Sequence, residues 1–202
     1  MFYNISKYLI ILIILIILII YNLIKDMFVS EIIPNLWVCD YDIVTSNYFN
    51  NRNIGLYVHV YSFQEESEFA KINLKKRIGY NQELIDIKIK ELSDRMCYSQ
   101  NSLVQRQIMR YSKDFAELIY NNISLIQNTL KYKRGVVLFS KHAIQKAATI
   151  AAAYLILKGK VDVDAVVKIM NSKEPLFFKS TENDDITIVL YKHSLEYIAS
   201  LV

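Results

Sequence analysis

A short loop in the second half of the chain combines residue types that can hold an anion. Residues 136–139 are apolar at every position, as a strand buried on both faces must be, and an alanine-rich helix follows from about Gln145 to Leu157. A loop between such a strand and a helix N-terminus presents backbone N–H groups to an anion, usually phosphate. Phosphoryl chemistry there requires a nucleophile, a glycine and an arginine. The candidate phosphate-binding residues are Ser140, Lys141, His142, Ala143, Ile144, Gln145 and Lys146.

Residues 136–149, which read VVLFSKHAIQKAAT, resemble the signature loop of the dual-specificity subfamily of protein tyrosine phosphatases, V-L-V-H-C-x-x-G-x-S-R-S-A-T. Further segments resemble that family in the same order: residues 33–38, 53–60, 153–155, and 163–165 with 173–175. The resemblance covers residues 31–200 and implies an α/β domain with a central sheet flanked by helices.

The resemblance fails at the positions that carry the family's chemistry. Ser140 occupies the position of the nucleophilic cysteine, and Phe139 that of the preceding histidine. The loop glycine corresponds to Ala143, which could resist a backbone angle that glycine adopts freely. The phosphate-gripping arginine corresponds to Lys146, which keeps the charge but loses the bidentate fork. A serine hydroxyl without a neighbouring base is a poor nucleophile, so we assign no catalytic residue.

The position of the family's general acid aligns with Glu91, and Asp94 is close by. Without a nucleophile, a vestigial acid at Glu91 or Asp94 has nothing to assist, and we interpret both as solvated loop charges. We likewise interpret Lys141 and His142 as ordinary loop residues, with anion binding as the alternative. Cys97 lacks a surrounding loop, glycine or arginine and is interpreted as a free thiol.

These observations predict a catalytically inactive phosphatase-like protein, a pseudophosphatase, that acts as a binding or regulatory module. Its expected partner is a protein, phosphorylated or not. We expect phosphate binding by the loop to be weak, with an inserted segment at residues 92–110 or the outer surface making the main contact. The alternatives are a residual or altered tyrosine/serine/threonine phosphatase and an unrelated α/β membrane protein.

The composition of the chain argues against nucleic-acid-binding and metal-binding proteins. The chain has 202 residues and a net charge of +4, which is too balanced for a nucleic-acid platform. Its two cysteines, Cys39 and Cys97, have no CxxC spacing, so we expect no metal site and no cofactor. They are compatible with a reducing compartment, and we expect the domain on the cytosolic side of a membrane.

The composition of the N-terminal segment predicts a membrane-spanning helix. Residues 9–20 are all Leu or Ile, and the apolar run from Tyr8 to Ile24 would span about 25 Å as a helix, against about 30 Å of bilayer hydrocarbon. No small-residue cleavage site follows, which argues against a cleaved signal peptide. Positive charges flank both ends, so they do not set the orientation. We divide the chain into a tail (1–7), an anchor (8–24), a linker (25–30) and one domain (31–202).

The elements that must position the loop follow from hydrophobic periodicity. We predict strands at residues 32–38, 56–60 and 84–89, and a helix over residues 112–130. A short helix should be capped by Asp162, and a last helix should begin at Asp184 and Asp185. The long helix should bury a stripe formed by Phe115, Ile119, Ile123, Ile126 and Leu130.

Overall fold

The structure is a computed structural model that describes residues 28–63, 65, 79, 81–141, 143–180 and 186–202. The predicted membrane anchor at residues 8–24 lies outside the described residues, as does His142. Within the described ranges, no helix is both long enough and apolar enough to cross a membrane.

Five strands of the described chain form one mixed sheet in the order β1-β2-β5-β3-β4. They are β1 (Val29–Ile33), β2 (Leu36–Asp40), β3 (Ile54–Ser62), β4 (Glu83–Ile89) and β5 (Gly135–Ser140). β1 pairs antiparallel with β2, whereas β2, β5, β3 and β4 run parallel. β3 and β5 are buried at every position, as expected for the centre of a covered parallel sheet. The strands predicted at 56–60, 84–89 and 136–139 are confirmed.

The single strand predicted over residues 32–38 is wrong, because the chain turns back within it. Pro34 and Asn35 separate β1 from β2, and Asn35 has a φ of 69°. Proline cannot donate to a strand ladder, and asparagine tolerates the left-handed region. The turn is tied by the Asn35 N–H, which donates to a carboxylate oxygen of Glu31 at 2.8 Å.

Six helices lie among the described residues: α1 (Tyr41–Thr45), α2 (Asp94–Tyr98), α3 (Ser102–Lys131), α4 (Lys146–Gly159), α5 (Val163–Lys173) and α6 (Lys192–Ala199). The predicted stripe of α3 is buried from Phe115 to Ile126, and Leu130 is partly buried. Asp162 caps α5 by accepting a hydrogen bond from the Ala165 N–H at 2.7 Å, as predicted. Residues 92–110, predicted to contain an insertion, include α2 and the first turns of α3.

The last helix begins at Lys192, not at Asp184 and Asp185 as predicted. Thr187 instead forms a β-bridge with Lys179, and the Ile188 N–H donates to the Phe178 carbonyl at 2.7 Å. The backbone of this segment therefore finds its partners in tertiary contacts, and helical hydrogen bonds form only after it.

Hydrophobic cores cover both faces of the sheet. On one face α3, α4, α5 and α6 pack over the larger core. On the other face α1 and the chain that follows it cover a smaller aromatic core that includes Phe49, Tyr57 and Phe139. The predicted fold class, an α/β domain with a central sheet flanked by helices, is confirmed. Since β2, β5, β3 and β4 are parallel, the loops after Asp40, Ser140, Ser62 and Ile89 meet at one edge of the sheet.

Candidate functional site at the carboxyl edge of the sheet

The loop between β5 and α4 lies at this edge. Ser140 is the last residue of β5 and Lys146 is the first residue of α4, so the strand, loop and helix occur where the sequence predicts them. Ser140 is fully buried, and its hydroxyl makes no hydrogen bond to any described residue. No base activates this hydroxyl within the described part of the chain.

Lys146 points into the site and is held by two carboxylates. Its Nζ lies 2.9 Å from Oε1 and 2.9 Å from Oε2 of Glu65, and 2.9 Å from Oε1 of Glu91. Glu65 lies after β3 and Glu91 after β4, so three chain segments converge here. We call these three residues the Lys146 ion-pair cluster. The side chains of Lys146 and Glu65 are 5% and 9% exposed, whereas that of Glu91 is 36% exposed.

The electrostatics of the cluster favour the charged form of Glu65. Burial raises the pKa of Glu65, but hydrogen bonds from the Ser62 N–H and the Lys146 ammonium outweigh burial and hold the pKa below its usual value. The Ser62 N–H donates to Oε2 of Glu65 at 2.7 Å. Lys146 also lies at the positive end of α4, an unfavourable place for a cation. Two carboxylates compensate for both the burial and the helix end.

The cluster changes what Lys146 can do chemically. A phosphate at the loop would need the positive charge of Lys146, yet that charge is already paired with two carboxylates in a largely buried site. An incoming phosphate would have to displace carboxylates that are held in place, and it would meet their negative charge.

A third carboxylate faces the backbone of the loop. Oδ1 of Asp40 accepts a hydrogen bond from the Ala143 N–H at 2.9 Å, and Oδ2 accepts one from the Phe28 N–H at 3.1 Å. A loop N–H that could have bound an anion is thus paired within the protein. Ala143 is buried and is not among the described residues with positive φ, so the backbone strain anticipated for an alanine here does not arise.

Gln145 anchors the loop to the segment before α6. Its side-chain NH2 donates to the carbonyls of Lys179 and Ile188, both at 2.8 Å, and its carbonyl accepts from the Leu190 N–H at 3.3 Å. The neighbouring Ile144 carbonyl accepts from the Phe178 N–H at 2.9 Å. Gln145 is 3% exposed, so these partners make it a structural residue of the loop.

Phe139 faces the opposite side of the sheet, within the aromatic core. Its ring stacks on His59 with centroids 4.8 Å apart and planes 7° apart, and Tyr61 stacks on His59 at 4.9 Å. Burial lowers the pKa of His59, although Asp86 at 3.3 Å from its Nδ1 acts in the opposite direction. The position before Ser140 therefore contributes packing, and His59 favours its neutral form.

The two candidate acid positions differ from each other, and neither is a solvated loop charge. Glu91 belongs to the Lys146 ion-pair cluster. Asp94 is 1% exposed and accepts a hydrogen bond from the hydroxyl of Ser180. Our interpretation of both as solvated is wrong, because a buried cation and a buried hydroxyl each needed an acceptor that the sequence does not reveal.

Among the described residues, the other candidate groups include no activated nucleophile. Lys141 is exposed, and His142 lies outside the described residues. Burial raises the pKa of the Cys97 thiol, with Asp94 adding to the effect, and burial also raises that of Cys39. The described residues contain no cluster of three or more histidine, cysteine or acidic side chains that could hold a metal ion.

Two carboxylates of the site, Glu65 and Asp40, were not predicted from the sequence. Glu65 lies in the polar run QEESE and Asp40 ends a strand, so neither stands out by type or spacing. The only available signal was indirect: a lysine expected at a buried helix start requires a nearby carboxylate.

We compared the chain with known protein families, curated sequences and solved structures. No protein-family model matches the chain, and no curated protein matches it in sequence. Solved structures do match. A human tyrosine phosphatase-like serine/threonine/tyrosine-interacting protein aligns with a TM-score of 0.57 at 11% identity, covering 86% of this chain and 96% of that one. A mouse putative dual specificity phosphatase aligns with a TM-score of 0.55 at 10% identity, covering 86% and 87%.

A leucine rich repeat and phosphatase domain containing protein from Entamoeba histolytica aligns with a TM-score of 0.55 at 14% identity, covering 86% of this chain and 91% of that chain. The described domain therefore has the fold of the dual-specificity protein tyrosine phosphatases, as the sequence resemblance predicts.

Proposed function

We propose that this protein is a membrane-anchored, catalytically inactive phosphatase-like module that binds or regulates a partner protein. The observation that carries the proposal is the Lys146 ion-pair cluster. In this cluster, two carboxylates lie 2.9 Å from the ammonium of Lys146, which points into the site.

The nucleophile position supports inactivity independently of the cluster. Attack on phosphorus from the position of Ser140 requires a base that activates its hydroxyl. The Ser140 hydroxyl is buried and has no base among its described neighbours, and the pKa values of both cysteine thiols are raised. Both thiols thus favour their protonated forms, and Ser140 has no described base to take its proton.

The charge around the loop argues against a retained phosphate-reading role. Glu65, Glu91 and Asp40 all direct carboxylate oxygens to the groups that would hold a phosphate, namely the Lys146 ammonium and the Ala143 N–H. Partner binding is therefore assigned to the outer surface of the domain. The human structural neighbour is named as a phosphatase-like interacting protein, which is consistent with this fold serving a binding role.

Membrane attachment is the second part of the proposal and rests on the sequence. The run from Tyr8 to Ile24 has the length and composition of a single span, and the first strand of the domain, β1, begins at Val29. Such a short connection would keep the domain close to the bilayer, on the cytosolic side if the cysteines remain reduced.

Phosphate binding by the full-length chain in nanodiscs tests the role of the cluster. Titration calorimetry with inorganic phosphate should give a dissociation constant weaker than about 1 mM for the natural sequence. The Glu65→Gln/Glu91→Gln variant keeps Lys146 but removes both competing charges, so it should bind phosphate measurably more tightly. Lys158→Met, on the exposed end of α4, is the matched control and should bind as the natural chain does. Micromolar binding by the natural chain that Lys146→Met abolishes would refute the proposal.

A further inference from the structure

A groove on the helical side of the domain lies between α3 and α6. Its larger part has a volume of about 480 Å³ and is lined by Met109, Arg110, Lys113, His193, Glu196 and Tyr197. A second depression of about 320 Å³ continues it and is lined in part by Tyr120 and Leu201. Tyr197 lines both parts, so they form one surface, which we call the α3–α6 groove.

The groove exposes large apolar side chains. Met109 is 60% exposed, Tyr120 49% and Leu201 47%. Exposed apolar groups that are grouped together mark interaction sites more often than single ones do, and methionine suits surfaces that adapt to a partner. Met109 and Arg110 end the segment predicted to contain an insertion.

The charged side chains at the groove indicate which kind of partner it would bind. The acidic residues of the groove already have cationic partners, since Glu117 pairs with Lys113 at 3.9 Å and Glu196 with Lys192 at 4.0 Å. Arg110 lines the groove, and Arg106 lies one turn before it on α3; both are exposed and form no ion pair with any described residue. These two arginines therefore leave positive charge without a paired carboxylate beside the exposed apolar side chains of the groove.

The dimensions suit a helix. From Met109 to Asn121 the groove follows α3 for about 18 Å, which is three turns. An amphipathic helix can place its apolar face in such a groove with residues at i, i+4 and i+7. A second copy of this chain is the alternative occupant, and its self-association is one of the outcomes that the test distinguishes.

We propose that the α3–α6 groove docks an amphipathic helix of a partner protein whose flanks are acidic. This inference rests on the proposed function of the domain as a binding module and names its contact surface. The apolar face of the partner covers Met109, Tyr197 and Tyr120, while its carboxylates meet Arg106 and Arg110.

The test uses the full-length chain in phosphatidylcholine nanodiscs and two fluorescein-labelled synthetic helical peptides. Both peptides carry leucine at i, i+4 and i+7, and one carries flanking glutamates where the other carries lysines. Fluorescence anisotropy, corrected with empty nanodiscs, should show about tenfold tighter binding of the glutamate peptide at low salt, with the difference shrinking as salt increases.

Charge reversal provides the decisive variant. Arg106→Glu/Arg110→Glu should reverse the preference between the two peptides, which an unfolded protein could not do. Met109→Glu should weaken the glutamate peptide at least severalfold, whereas Ile169→Glu, at an equally exposed position on α5, should not. Equal binding of both peptides, a preference unaffected by charge reversal, or self-association through Met109 in sedimentation would each overturn the inference. These outcomes leave the phosphate titration unchanged, so failure here is distinguishable from failure of the proposed function.

Discussion

The ammonium of Lys146 lies 2.9 Å from each carboxylate oxygen of Glu65, which accepts a further hydrogen bond from the Ser62 N–H. This pair joins the helix after β5 to the chain after β3, across the edge where the site lies. Glu91 adds a second carboxylate from the chain after β4. Ion pairs between side chains of the protein itself therefore join three loops of the site.

Removal of the cation should destabilise the domain. In Lys146→Met, Glu65 and Glu91 would face each other without a counter-charge, so the free energy of unfolding should fall by about 3 kcal/mol. Urea denaturation followed by circular dichroism measures it. Lys158→Met in the same helix should change stability by no more than about 0.5 kcal/mol. Equal effects of the two substitutions would show that the ion pairs contribute nothing specific.

Acid should weaken the same cluster. The folded state holds the pKa of Glu65 below its ordinary value of 4.5, so the unfolded state takes up the proton first as pH falls. The stabilisation is present above pH 4.5 and is lost as pH falls through the depressed folded pKa. The urea midpoint of unfolding should therefore depend less on pH in Glu65→Gln than in the natural sequence. If the pH dependence of the midpoint is the same in Glu65→Gln, the acid sensitivity comes from other residues.

His59 should produce a separate pH dependence at higher pH. Burial lowers its pKa below the ordinary 6.5, so only the unfolded state gains a proton just below that pH. Stability should therefore decline as pH falls from 6.5 toward the depressed pKa of His59. His59→Phe, which preserves the ring stack with Phe139, should abolish this decline. Persistence of the decline in the variant would contradict the assignment.

Gln145 should be needed to hold the chain before α6. Gln145→Ala would leave the carbonyls of Lys179 and Ile188 without their donor, and three hydrogen bonds, one buried and two partly buried, would be lost at a total of about 3 kcal/mol. Amide exchange at Leu190 should accelerate in parallel. Gln127→Ala, at an exposed position on α3, is the control and should alter neither quantity. Unchanged exchange at Leu190 would show that the Gln145 side chain does not anchor this segment.

The sequence was informative wherever a local pattern decided the outcome. The apolar run of β5, the stripe of α3 and the Asp162 cap follow from period and residue type alone, and the order of five weak motifs was enough to predict the phosphatase-like fold. The sequence was uninformative where partners come from distant segments. Glu65 is separated from Lys146 by 81 positions, and Asp40 from Ala143 by 103. The late start of α6 likewise depends on Gln145, more than forty positions earlier.

Turnover of a phosphate ester tests the central claim most directly. The full-length chain in nanodiscs should hydrolyse an aryl phosphate and a phosphotyrosine peptide no faster than empty nanodiscs do, and Ser140→Ala should give the same rate as the natural sequence. Hydrolysis above that background by the natural chain, lost in Ser140→Ala while the circular dichroism spectrum is unchanged, would contradict the account and make Ser140 a working nucleophile.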